Sequence, residues 1–283
     1  MGKISRYPSD ESKKRFLILF IGILCLLPAT TGLLAATFGW MPFDPFTFVG
    51  APNQLPNSTT WLGCDALGRD LFSRLGSAAA YFTPPGAVAV AVALVIGSLL
   101  GVAESLGGRL WGAVSSWFLQ VLDSLPKFVF VLLVASIARS NLFWIMSAVG
   151  LTFAPQIAAA IKSSVIKLRK AAFIEAERSL GVSITRIVFV HILWGHARRV
   201  ILAQLMSLMA YALLVETSLS YLGGELGLQE PLPSWGNMLA LAKDGVFTGQ
   251  LMPAILPAVM ISLTLLGFTL VGQGFLAVVE ERM

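Results

Sequence analysis

Six long, unbroken apolar runs constrain this chain more than anything else in it. They cover about Phe16–Thr37, Phe82–Ala103, Trp111–Ala138, Leu142–Val165, Val200–Leu222 and Leu251–Val279. Each meets the roughly 20 residues that a helix needs to cross the hydrocarbon of a bilayer. Only helices and closed barrels can satisfy their backbone in lipid, and continuous apolar runs lack the period-two pattern of barrel strands. Composition agrees: 56% of residues are hydrophobic and 12% charged, where a soluble domain carries about 25% charged residues. The expected fold is an all-α integral membrane protein with six transmembrane helices in one domain. The third and sixth runs are long enough to tilt.

Basic residues orient the chain. With the N-terminus inside, fifteen fall on the cytoplasmic side: Lys3 to Arg15, Arg109, eight from Lys162 to Arg199, and Arg282. Four fall outside (Arg69, Arg74, Arg139, Lys243), and Lys127 sits inside the third run. The asymmetry predicts two cytoplasmic termini. The expected organisation is a cytoplasmic start (1–15), a first anchor (16–37), an external loop with a short helix (38–81), a five-helix core (82–279) and a cytoplasmic end (280–283). Residues 166–199 form a cytoplasmic loop within that core, and 223–250 form an external one. The net charge of +5 is a topogenic bias toward the lipid surface, with no call for nucleic acid. Cys25 and Cys64 lie too far apart along the membrane normal for a disulfide, and Cys64 is expected to be open to a thiol reagent outside.

The segment Phe173–Trp194 is charged where the rest is greasy, and membrane burial does not require it. Glu175-Ala176-Glu177, then Leu180-Gly181, then His191-Ile192-Leu193 place an acidic pair on a short helix, a glycine break and a second apolar-faced helix. This pattern resembles the coupling loop of bacterial ABC importer permeases. Leu62-Gly63-Cys64-Asp65-Ala66-Leu67-Gly68-Arg69-Asp70-Leu71-Phe72-Ser73-Arg74 is similar to a motif of their peptide and nickel branch. So are Glu216–Gly223 and Pro233-Ser234-Trp235-Gly236-Asn237-Met238-Leu239. Two patterns depart from it: Thr152–Ala160 lacks the branch's arginines, and Gly272–Leu276 lacks its two charges.

The resemblance implies an inner-membrane permease subunit of the type I kind, forming half of a pathway for peptides or another small solute such as nickel. It implies a second homologous permease, two ATP-binding subunits, which would hold ATP and Mg, and an external solute-binding protein. Glu175, Ala176, Glu177, Leu180, Gly181 and His191 would dock an ATPase. Gly68, Arg69, Asp70, Ser234, Trp235 and Gly236 would stand at the outer mouth or a partner contact, with Trp235 as an interfacial anchor. No phosphate loop occurs in the chain, so no ATPase site or cofactor of its own is expected.

Charged groups inside spans are costly and mark pathways or partners. Glu216 has no counter-ion near it in sequence and is a pathway candidate. Asp123 is another, although Lys127 follows at i+4 and could neutralise it across a kink at Pro126. These two acids also define the rival reading, an ion-coupled secondary transporter. His191 and His196 lie about 140° apart on a helix and form no metal site. Outside the spans, Leu67, Leu71 and Leu75 predict the short external helix, with Arg69 and Asp70 on its other faces. Gly97, Ser98 and Gly101 predict a close-packing face on the second span.

Overall fold

The computed structural model describes residues 10–169 and 197–280. Among them are eight helices and no strand; the β pairing is confined to two isolated bridges, Phe48 with Arg69 and Cys64 with Asp70. In chain order the helices are α1 (Asp10–Thr37), α2 (Leu71–Leu106), α3 (Gly108–Ser124), α4 (Lys127–Ala138), α5 (Leu142–Arg169), α6 (Arg198–Leu222), α7 (Trp235–Phe247) and α8 (Met252–Glu280). Five of them, α1, α2, α5, α6 and α8, are each long and apolar enough to cross a membrane.

The third span differs from the expected continuous helix. It is a pair, α3 and α4, bent by 86°. Pro126 supplies the physical reason. It has no N–H to give, and its ring drives Leu125 out of the helical region, to φ −79°, ψ 132°. The chain then restarts with Pro126 ahead of α4. This break draws Asp123 and Lys127 out of direct contact, and the expected i,i+4 pairing is reduced to a longer-range attraction. No ion pair joins the two among the described residues; the Lys127 ammonium instead lies 4.3 Å from the centre of the Phe153 ring.

Lipid tails are as apolar as leucine, so helices here associate through close packing and polar contacts. The most extensive seam joins α2 to α5. Gly97 and Gly101 make it possible, as the second span's pattern predicts. A Cβ on Gly97 would stand 2.7 Å from the Ile157 Cβ, and one on Gly101 2.8 Å from the Ala158 Cα. At one end of the seam Lys162 on α5 donates to Glu104 on α2 at 2.6 Å. The deepest core runs along α5 and α6, where Ile145, Val149, Ile157, Leu208, Leu213 and Leu219 are fully buried. Span hydroxyls bond back to their own helices, as Thr217 does to the Leu213 carbonyl at 2.8 Å and Thr264 to that of Met260 at 2.7 Å.

The second span begins earlier than expected. Its helix runs unbroken from Leu71, so the external short helix is its first turns and has no separate existence. Leu71 and Leu75 are buried, whereas Leu67 sits exposed in the turn before the helix. Arg69 and Asp70 therefore precede the helix.

Candidate functional site

The densest polar structure in the described residues is a plate formed where the 38–70 loop meets the start of α2 and the 223–234 connection. It starts from Asp65. One carboxylate oxygen accepts from the backbone N–H groups of Leu67 at 2.9 Å and Arg69 at 3.0 Å, the self-bonded turn that aspartate favours. Gly68 completes that turn at φ +86°, and a side chain there would strike the Gly50 carbonyl. The other Asp65 oxygen receives Arg69 Nε at 2.8 Å. Asp70 then caps α2 by accepting from the Ser73 N–H at 2.8 Å.

Two arginines tie this turn to the far end of the chain. Arg69 Nη1 lies 2.5 Å from Glu230 Oε2, and Arg74 Nη2 lies 2.9 Å from Glu230 Oε1. Arg74 is completely buried; it also approaches Asp65 at 3.4 Å and donates to the carbonyls of Pro45 at 3.2 Å and Pro231 at 3.3 Å. Two cations thus face two carboxylates, a balance that lets charge stay out of water. Burial works against the Arg69 charge, but the Glu230 hydrogen bond and the Asp65 carboxylate outweigh it and raise its pKa.

The plate is bolted to the bundle by α7. Ser234 and Asn237 form a capping box: Gly236 N–H donates to the Ser234 hydroxyl at 3.1 Å, and Ser234 N–H to the Asn237 amide oxygen at 3.0 Å. Gly236 rests against Thr217, where any side chain would clash with the Thr217 carbonyl. Trp235 is buried, and its indole N–H donates to the Leu75 carbonyl at 2.9 Å. The expected interfacial anchor is therefore a wedge between α2 and α6, because its ring and its N–H both find partners inside the chain.

Glu216 joins the same frame. It is enclosed; the Ser220 hydroxyl donates to it at 2.8 Å and accepts in turn from Leu228 N–H at 2.9 Å, with the Ser234 hydroxyl also in reach. This acid is held inside the chain. Asp123, by contrast, is exposed at the end of α3. Gly68, Arg69, Asp70, Ser234, Trp235 and Gly236 are all buried, so they frame the region and offer no exposed surface of their own. Beside the plate lies a cavity of about 720 Å³ lined by Glu225, Gln229, Glu230, Asn237, Lys243 and Asp244 among others. Glu230 belongs to both. Nothing local in the sequence marks Glu230, since its partners lie far off in the chain.

Cys64 is also buried, 1% exposed. Burial foremost pushes its thiol up; the nearby Thr60 hydroxyl pulls the other way, and Asp70 and Asp65 add to the rise. The expectation of a reagent-accessible thiol is corrected accordingly. The six coupling-loop residues Glu175, Ala176, Glu177, Leu180, Gly181 and His191 lie outside the described residues.

Residues 93–283 match the family of binding-protein-dependent transport system inner membrane components. The glutathione transport system permease protein GsiD of Pectobacterium atrosepticum is 31% identical over 99% of this chain and 93% of its own length. The protein of the same name in Salmonella paratyphi A is 31% identical over 89% and 83%. A candidate peptide permease protein of Brucella ovis is 28% identical over 97% and 91%.

Proposed function

This chain belongs to the binding-protein-dependent transport system inner membrane components, and from that premise we propose that its solute is a short peptide, glutathione included. The chain is a permease subunit of an ATP-driven ABC importer, and in such systems ATP is handled by partner subunits. The names of relatives that match it nearly end to end carry the choice of solute. The same reading gives it a second, related permease, two ATPases and an external binding protein, in a bacterial inner membrane. Fifteen basic residues on one side against four on the other support cytoplasmic termini and an external plate.

In this reading the plate is the rigid rim of the outer mouth. Its salt-bridged frame holds the start of α2, the end of α6 and α7 as one piece, while the acid-lined cavity beside it meets incoming solute. The Glu175–Gly181 turn docks an ATPase and couples its closure to the spans through shape. Family membership in ATP-driven transport leaves the ion-coupled alternative without support.

The test is uptake by the complete complex in proteoliposomes, with loaded binding protein outside and ATP inside. Labelled glutathione and tripeptides should accumulate, and nickel should not. Accumulation of nickel alone would overturn the peptide reading. Gly181→Val at matched expression should uncouple hydrolysis from uptake or release the ATPase, whereas Glu175→Gln should do less harm; normal coupling in Gly181→Val would refute the docking role.

A further inference from the structure

Lys127 is the charge this fold does not settle. It opens α4 at the break after Pro126; no hydrogen bond or ion pair involves it among the described residues, and Asp123 acts on it only as a nearby charge. Its ammonium sits over Phe153 at 4.3 Å, a cation–π contact that leaves its three donors free. Phe153 is buried on α5 and packs against Tyr211 of α6, ring centres 5.3 Å apart. The Tyr211 hydroxyl is itself shielded and without a partner. Lysine therefore points at the two most buried spans and away from lipid.

Its depth follows from helix rise. Phe153, under the ammonium, is eleven residues from the start of α5 at Leu142, about 17 Å of helix at 1.5 Å per residue. That is near the middle of a hydrocarbon layer about 30 Å thick. A charge at that depth normally faces a cavity or a partner. The nearest acid in sequence, Asp123, lies exposed beyond an 86° bend. The first-turn N–H groups of α4 add to the positive field, since Pro126 provides no side-chain cap.

We infer that Lys127 is an anion-recognition point midway along the translocation path, where it takes the carboxylate of the solute in transit. The inference rests on the peptide reading above. Free peptides carry a C-terminal carboxylate whatever their side chains, so one ammonium serves many sequences. The aromatic floor of Phe153 holds the lysine in place without neutralising it, which keeps the contact weak enough to release.

Two measurements on the assembled complex test this. In the first, Lys127→Cys is treated with a membrane-impermeant methanethiosulfonate reagent applied from each side, with the parent chain as blank. Labelling is expected. In the second, Lys127→Gln and Lys127→Arg are compared with wild type for uptake of a tripeptide and its C-terminal amide. Selectivity of the binding protein cancels in each variant-to-wild-type ratio. Lys127→Gln should lower free-acid uptake about tenfold and change amide uptake less than twofold, with ATP hydrolysis intact; Lys127→Arg should retain most uptake. Position 127 staying unlabelled, or acid and amide falling together, overturns the inference while sound wild-type peptide uptake leaves the peptide reading standing. Wild type importing neither peptide, with position 127 labelled, defeats the substrate class and the carboxylate assignment with it.

Discussion

The plate and the bent α3–α4 limb handle charge in opposite ways. In the plate Arg74 is wholly buried yet meets Glu230, Asp65 and two carbonyls. In the limb Lys127 is half-buried, its ammonium touches an aromatic face, and the one acid acting on it, Asp123, does so without contact. The plate draws its partners from opposite ends of the chain and closes on itself. The limb turns through 86° with many of its large apolar side chains exposed, Trp111, Trp117 and Ile137 among them. A charge satisfied within its own chain is architecture, and one left open is available to something that passes or binds.

Removing a plate cation should cost most. Arg74→Met leaves Arg69 alone to balance Glu230 and Asp65 and should destabilise by about 3 kcal/mol, the low end for breaking a buried pair because Arg69 still holds both acids and Glu230 keeps some access to water. Thermal unfolding of the purified complex would read it, and an unchanged transition would end the view of the plate as a charge-locked unit. Gly68→Val comes next: at φ +86° and against the Gly50 carbonyl, it should cost roughly 1–3 kcal/mol. Gly68→Ala should cost nearly as much, since the objection is to any Cβ.

Trp235→Phe keeps the ring and drops the bond to the Leu75 carbonyl, a loss of about 1 kcal/mol. Lys127→Met sharpens the comparison from the other side: it strands no hydrogen-bonded partner and gives up only the contact with Phe153 and the attraction of exposed Asp123, so stability should change by less than about 1 kcal/mol or rise. A loss as large as that of Arg74→Met would place Lys127 in the architecture. The smallest effect concerns Cys64. Its raised pKa keeps the thiol neutral at pH 7–8, and its burial blocks access, so maleimide should label it only after unfolding. Rapid labelling of the folded complex would show the plate to be open.

Much of this was legible along the chain. Gly97 and Gly101 announced a close seam, and the α2–α5 packing uses both. The Asp65–Arg74 stretch stands out as a motif, yet Arg69 and Asp70, expected on its helix, precede a helix that starts only at Leu71. Pro126 was recognised as a kink, but Pro28, Pro84, Pro85, Pro155 and Pro257 sit inside unbroken helices, and proline by itself does not say which of them will break. The role of Glu230 was hidden because its partners lie 156 and 161 residues away.

Sequence alone determined that the chain is a bundle of membrane helices and which branch of transport it resembles, because apolar run length and local motifs are properties of neighbours along the chain. Tertiary structure decided which charges are spent and which are open. Arg74, Glu216 and Trp235 become internal fasteners, and Lys127 stays free, according to what distant segments bring within about 3 Å, the range over which a hydrogen bond acts.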